Sequence, residues 1–267
     1  MFYQKYLTVI RIELQRQFTY RYDIAMFVPG NLFELFFSFL LWTVIFQTAD
    51  VVRGYTYQDM VSYIVIGWIC MFITNNYGFE ENVSRDIRLG HLTNYLLRPV
   101  SYLKYVSTVA VGRVIIAFGF VILQSVLYVS IFGSRMIIDL NLQKILILAV
   151  MLFFAFFIKL FISIIIGMVS FWMMYVNGLM TFSNTLMKLF SGAYFPLAIL
   201  PVIFLKASLF LPFAYTFFIP VQFFLGKISY SDAIRGIGVQ VIWLIALYFI
   251  AKIIYKIGLK KYESVGA

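Results

Sequence analysis

From Ile145 to Tyr175 the chain runs for 31 residues with a single charged side chain, Lys159. A helix of about 20 apolar residues crosses the hydrocarbon core of a bilayer, so a run of this length must tilt or protrude. The rest of the chain obeys the same constraint. A soluble core of 267 residues cannot hide a composition that is 63% hydrophobic and 12% charged. Continuous apolar runs, instead of short alternating ones, select helices over barrel strands. The fold class is an all-α polytopic membrane protein, with one transmembrane domain over residues 1–267.

Six transmembrane helices are expected. They run at about Met26–Phe46, Asp59–Phe79, Tyr105–Phe132 and Ile145–Tyr175, then one from Gly178, then Ile234–Ile254. Residues 3–24 precede them. There Tyr6, Leu7, Ile10, Leu14 and Phe18 form one stripe, with Lys5, Arg11, Gln15 and Arg16 off it, which reads as an interfacial helix. This stretch lacks the apolar core and small-residue cleavage site of a signal peptide. Between 194 and 226 the sequence stays apolar, but Pro196, Pro201, Pro212 and Pro220 interrupt it. The pieces, about 10–14 residues each, are too short to span. They read as re-entrant or interfacial half-helices, whose broken backbone must be buried in protein or line a cavity.

An even number of spans places both termini on one side. Lys and Arg number four in the N-terminal segment (Lys5, Arg11, Arg16, Arg21), four in the loop after the second span (Arg85, Arg88, Arg98, Lys104) and four near the end (Lys252, Lys256, Lys260, Lys261). The opposite side has six: Arg53, Arg135, Lys144, Lys206, Lys227 and Arg235. The positive-inside rule makes the loop and both termini cytoplasmic in a cell membrane. Topology and anionic headgroups account for the net charge of +10, so no nucleic-acid partner is expected.

That loop, EENVSRDIRLGHLTNYLLRPVSYLK over 80–104, is the most concentrated polar segment of the chain. Val83, Ile87, Leu92, Leu96 and Leu97 recur at helical spacing with charged residues between them. The pattern predicts an amphipathic helix over 81–98 along a membrane face, ended by Arg98-Pro99.

Enzymatic chemistry finds little support. There is no GxxxxGK[ST] loop, because Ile228 follows Gly226-Lys227, so the chain has no Walker-type ATP site. One histidine, His91, and one cysteine, Cys70, build neither a metal site nor a disulfide within the chain. His91 reads as a plain polar surface residue. No catalytic, cofactor-binding or metal-ligating residue is expected. Four ionisable residues, Glu34, Arg113, Lys159 and Lys188, fall inside spans, where charge usually faces a bundle interior or an aqueous path. Glu34 and Arg113 lie at similar depths, about 10–15 Å at 1.5 Å per residue, which would let them pair, and Glu34 is equally placed to serve as a packing partner of Lys188. Lys159 either snorkels or turns inward. Thr181, Asn184, Thr185, Lys188, Ser191 and Gly192 give the fifth span one polar, small-residue face, fit either for helix packing or for lining a pathway.

Three stretches carry a family resemblance. They are Arg85-Asp86-Ile87-Arg88-Leu89-Gly90 with Leu96-Leu97-Arg98-Pro99-Val100; Gly192-Ala193-Tyr194-Phe195-Pro196 with Leu200-Pro201, Leu211-Pro212-Phe213-Ala214-Tyr215 and Pro220; and Gly258 with Tyr262-Glu263-Ser264-Val265-Gly266-Ala267. The chain resembles a permease subunit of the type-2 ABC transporters, in their compact six-span branch. The resemblance implies that 81–98 is a coupling helix docking in a separate cytoplasmic ATPase through Arg85, Asp86, Arg88 and Gly90. It implies that 194–226 forms re-entrant helices capping the outer end of the pathway. It also implies a partner permease, more often non-identical, facing this one across the first and fifth spans. Glu34, Thr181, Asn184, Lys188 and Ser191 would then lie on the cargo route or the permease interface. Two ATPase subunits, holding ATP and Mg, would drive the complex, an exporter of the cell inner membrane in contact with its lipids. An intramembrane lipid-modifying enzyme would need a catalytic cluster that the sequence does not supply. A non-transporting scaffold is the other alternative.

Overall fold

The computed structural model describes residues 2–19, 21–74, 78–97, 100–137 and 141–262. Arg98-Pro99, the expected stop of the amphipathic helix, and Glu263–Ala267 of the tail lie outside the described residues, as do the side chains of Arg21 and Pro29. Among the described residues the architecture is all-α apart from a hairpin of two two-residue strands. Its elements are α1 Phe2–Thr19, α2 Arg21–Ile45, β1 Val51–Val52, β2 Tyr55–Thr56, α3 Tyr57–Thr74, α4 Phe79–Arg88, α5 Thr93–Leu96 and α6 Tyr102–Phe132. They continue with α7 Leu142–Met168, α8 Asn177–Ser191, α9 Val202–Phe210, α10 Phe213–Thr216, α11 Phe218–Phe224 and α12 Tyr230–Leu259.

Among the described residues, four stretches are long and apolar enough to cross a membrane: Tyr57–Arg88, Tyr102–Arg135, Leu142–Phe171 and Tyr230–Leu259. The expected first span is α2, whose apolar part, Leu32–Ile45, is shorter. The expected fifth span is α8, with only 15 residues. At 1.5 Å per residue α8 rises about 22 Å, short of the roughly 30 Å of hydrocarbon. It is closed by Gly192 in the left-handed conformation, φ 82°.

The N-terminal helix is not a simple stripe. Tyr6, Val9, Ile10, Glu13, Leu14 and Gln17 turn inward against α6, while Leu7 and Phe18 of the expected apolar stripe face outward. An acid stands at the centre of the inward face. Gly112 of α6 allows the approach, since a Cβ there would lie 3.1 Å from Glu13 Cβ.

The core has two zones. At the end carrying the hairpin, α3 is wrapped by the proline-broken segment. Tyr63, fully enclosed, donates its hydroxyl proton to the Gly192 carbonyl at 2.7 Å, and its ring meets Phe217 edge-on. Lys227 donates to the Gly54 carbonyl and pairs with Asp59, each at 3.0 Å, while Gln222 hydrogen-bonds Tyr55. Burial of Tyr55 pushes its phenol up to about 12, so it stays neutral as a partner. Proline removes donors and frees carbonyls, and these need partners in an apolar setting. Gln240 of α12 serves one carbonyl of the broken segment and one of α7: its Nε2 donates to the Tyr215 carbonyl at 2.8 Å and to the Met151 carbonyl at 3.0 Å. The expected broken segment over 194–226 is thus α9 to α11 with a 3-10 turn at Leu197–Ile199.

The second zone lies at the opposite end, where α4 and α6 pack on α7 and α12 around Val83, Ile87, Leu92, Ile164 and Met168. Tyr102 at the start of α6 stacks on Tyr255 near the end of α12, with ring centroids 5.9 Å apart. Thr93 and Tyr262 hydrogen-bond at 3.2 Å. The loop between the second and third spans and the C-terminal end of α12 therefore share one end of the bundle.

Candidate functional site

The amphipathic segment is two helices, not one. Helical spacing continues through 81–98 in the sequence, but α4 stops at Arg88, and Gly90 adopts φ 75°, a conformation that glycine takes without strain. The Leu92 amide then bonds the Asp86 carbonyl at 2.9 Å, folding the chain back before α5. Gly90 is thus the break between the helices.

One side of α4 is fixed to the bundle. Val83 and Ile87 are buried, and the Ser170 hydroxyl donates to Ser84 at 2.5 Å. Gly167 of α7 permits the contact: a Cβ at that position would lie 2.6 Å from the Glu80 carbonyl oxygen and 2.7 Å from Val83 Cβ. Asp86 belongs to this fixed side. The Tyr102 hydroxyl donates to its Oδ2 at 3.0 Å, which places the carboxylate between α4 and α6 instead of on the outer face expected from the sequence. His91 Nδ1 stands 3.9 Å from the other carboxylate oxygen, with its ring half-exposed.

The other side is free. Glu81, Arg85 and Leu89 point outward from α4, and Leu96 and Leu97 from α5 and its end, with Leu97 81% exposed. Among the described residues Arg85 bonds the neighbouring Asn82 alone, at 2.6 Å. Arg88 reaches sideways, its Nη1 donating to the Met174 carbonyl at 3.2 Å. This bond draws in the connection between α7 and α8, where Met174 and Tyr175 are 72% and 89% exposed. The result is one surface of exposed apolar side chains flanked by Arg85 and Glu81. Sequence reasoning missed the contribution of 172–175, because Trp172-Met173-Met174-Tyr175 reads as the tail of an apolar span.

The intramembrane charges pair differently from expectation. Arg113 Nε donates to Glu13 Oε1 at 3.1 Å, and Arg16 and Gln17 bond the same oxygen at 3.1 and 2.9 Å. The Arg113 guanidinium also lies 5.0 Å over the Phe79 ring. Arg113 therefore joins α1 to α6 beside α4 and does not pair with Glu34. Lys159 does not snorkel: its Nζ donates to Thr74 Oγ1 at 3.0 Å, between α7 and α3.

The polar face of α8 does meet charge. Lys188 Nζ stands 3.8 Å from Glu34 Oε1, bridging α8 and α2, and 5.9 Å over the Tyr194 ring. One turn away, Asn184 Nδ2 donates to the buried Glu80 Oε1 at 2.9 Å, tying α8 to α4. The Ser191 hydroxyl caps the Lys188 carbonyl at 3.1 Å, and Thr185 donates to the Thr181 carbonyl at 2.9 Å, both threonines lying exposed. Glu34 and Lys188 also border a cavity of about 50 Å³ closed by Trp42, Tyr63, Tyr194 and Phe217. Glu34, Asn184, Lys188 and Ser191 are brought together with Glu80. Thr181 stands at the open end of the same face.

No curated protein matches the chain. Residues 32–266 match the profile of the ABC-2 family transporter proteins, which covers the amphipathic loop, the polar face of α8 and the proline-broken segment alike. The chain belongs to the ABC-2 transporter family, as a membrane-spanning permease.

Proposed function

We propose that this chain is the permease subunit of an ATP-driven exporter, docked through α4, α5 and the 172–175 connection onto separate ATPase subunits. The observation that carries this reading is the two-sidedness of α4. Ser84, Asp86 and the Val83–Gly167 contact hold one side to α6 and α7, so a push on the helix moves the bundle. On the other side Arg85, Leu89, Leu97 and Tyr175 are exposed, as a rigid docking element requires. Closure of two ATPases, each holding ATP and Mg, would then displace α4 as a rigid body and change which side of the permease is open.

A second permease, non-identical in this proposal, faces α2 and α8. Both helices leave surface uncovered: Phe33, Phe36, Phe37 and Leu41 on α2 are exposed, as is Phe182 on α8, where most other side chains are only partly buried. The Glu34–Lys188 pair stands at this face and is the proposed lining of the route. The basic-residue count supports both termini being cytoplasmic, and the family resemblance supports export across the cell inner membrane. Co-purification tests the assembly. The chain should elute with an ATPase and a second permease, and reconstituted ATPase turnover should depend on its presence. Elution as a lone chain from native membranes would contradict the proposal, as would turnover indifferent to it.

A further inference from the structure

An open apolar groove runs between α6, α7 and α12, with Tyr6 of α1 at its edge, and has a volume of about 920 Å³. Its pattern is built into three helices. Phe153, Phe157 and Phe161 recur every four residues on α7, and Leu244, Tyr248 and Lys252 do so on α12. Phe161 meets Tyr248 edge-on with centroids 5.7 Å apart, and Phe153 meets Phe157 at 5.0 Å, so the floor is a packed aromatic wall.

One end of the groove is chemically different. Lys104 of α6 and Lys252 of α12 border it there with Ser101, at the level of the Tyr102–Tyr255 stack. No carboxylate lines the groove, and among the described residues neither lysine has an acidic partner within 4.0 Å. Two cations at the mouth of an apolar slot suit an amphiphile with an anionic head. From Leu244 to Tyr255 the slot is about 17 Å long at 1.5 Å per residue, close to the roughly 15 Å of hydrocarbon in one leaflet. A soluble anion would leave the aromatic wall uncovered, and a zwitterionic lipid would bring its own headgroup cation beside the two ammonium groups.

We propose that this groove is a binding site for one anionic glycerophospholipid of the leaflet on the α4 side, its phosphate held by Lys104, Lys252 and Ser101 and an acyl chain laid along Phe153, Phe157 and Tyr248. The site stands independently of the transport reading. It also ties α6 to α12 at the end where α4 is anchored, so lipid occupancy would stiffen the docking end of the bundle.

The test uses native mass spectrometry of the full chain, with any subunits that co-purify, delipidated and titrated with phosphatidylglycerol or phosphatidylcholine. Phosphatidylglycerol should be retained preferentially at a stoichiometry of one per chain. The Lys104→Ala/Lys252→Ala double variant should lose up to about 30-fold of that preference, the scale expected for two lysines at an anionic surface. Ile245→Trp, which fills the slot without touching a charge, should weaken retention of both lipids. Lys256→Ala/Lys260→Ala, exposed outside the groove, is the control and should change little. Equal retention of the two lipids, an unchanged double variant, or an equal loss in the control pair would overturn the proposal. So would a cross-link from position 157 to a second copy of the chain, which would show the groove filled by protein.

Discussion

The Tyr102 hydroxyl donates to Asp86 Oδ2 at 3.0 Å, so the last turn of α4 is tied to the first turn of α6. The bond closes a loop of 16 residues and fixes the direction in which Arg85 and Leu89 face. Tyr102→Phe removes the donor and leaves a half-buried carboxylate short of a partner, which typically costs about 1–3 kcal/mol. The melting temperature of the purified complex should fall by a few degrees, and ATPase turnover should become less dependent on transport. Asp86→Asn keeps an acceptor for Tyr102 and should be milder. A Tyr102→Phe variant with unchanged melting and coupling would show that the bond does not anchor α4.

Gly167 should tolerate no side chain. Alanine there would place a Cβ 2.6 Å from the Glu80 carbonyl oxygen, and relief requires α4 to move off α7. Overpacking of this kind costs about 1–3 kcal/mol. Gly119 in α6 is the control, with nothing within 4 Å of its ideal Cβ. Thermal unfolding should separate Gly167→Ala from Gly119→Ala, the first lowered and the second equal to or above the parent.

Glu13 accepts from Arg113, Arg16 and Gln17, with its side chain 6% exposed. Glu13→Ala strands Arg113 in a largely apolar setting, a loss of at most about 3–5 kcal/mol for a buried pair. Glu13→Leu combined with Arg113→Met should recover much of it, because replacing both charges removes the desolvation penalty. The level of folded chain in the membrane, followed by fluorescence-detected gel filtration, reads both outcomes.

Lys188 and Glu34 are both partly exposed in the single chain and 3.8 Å apart, beyond hydrogen-bond distance. Lys188→Met should therefore leave assembly intact and alter cargo-stimulated ATPase activity or selectivity. Loss of assembly for every cargo alike would make the pair a packing contact instead of a lining of the route.

The elements most legible in the sequence were those whose signal is local. Four prolines within 25 residues, from Pro196 to Pro220, predict broken helices whatever surrounds them. The apolar period of Val83 and Ile87 likewise predicts a helix buried on one side. Partners set by tertiary packing were not legible. Glu13 and Arg113 are 100 residues apart, and Asn184 finds Glu80 across 104, so depth along a span suggested Glu34 for Arg113 when α1 was already beside it. The break at Gly90 was obscured because Leu92 and Leu96 keep the helical period across it. Asp86 reads as a surface charge by composition, and only the placement of Tyr102 turns it inward.

Site-directed cross-linking tests whether α5 and the 172–175 connection dock on the ATPase. In a Cys70→Ser background, single cysteines at Leu97, Tyr175 and, at the opposite end, Val51 would each be treated with a short bifunctional maleimide in membranes containing the assembled complex. All three positions are exposed in the chain. Cross-links from 97 and 175 to an ATPase subunit, sensitive to nucleotide, are expected, and none from 51. An ATPase cross-link from 51, or none from either 97 or 175 in an assembled complex, would contradict this docking.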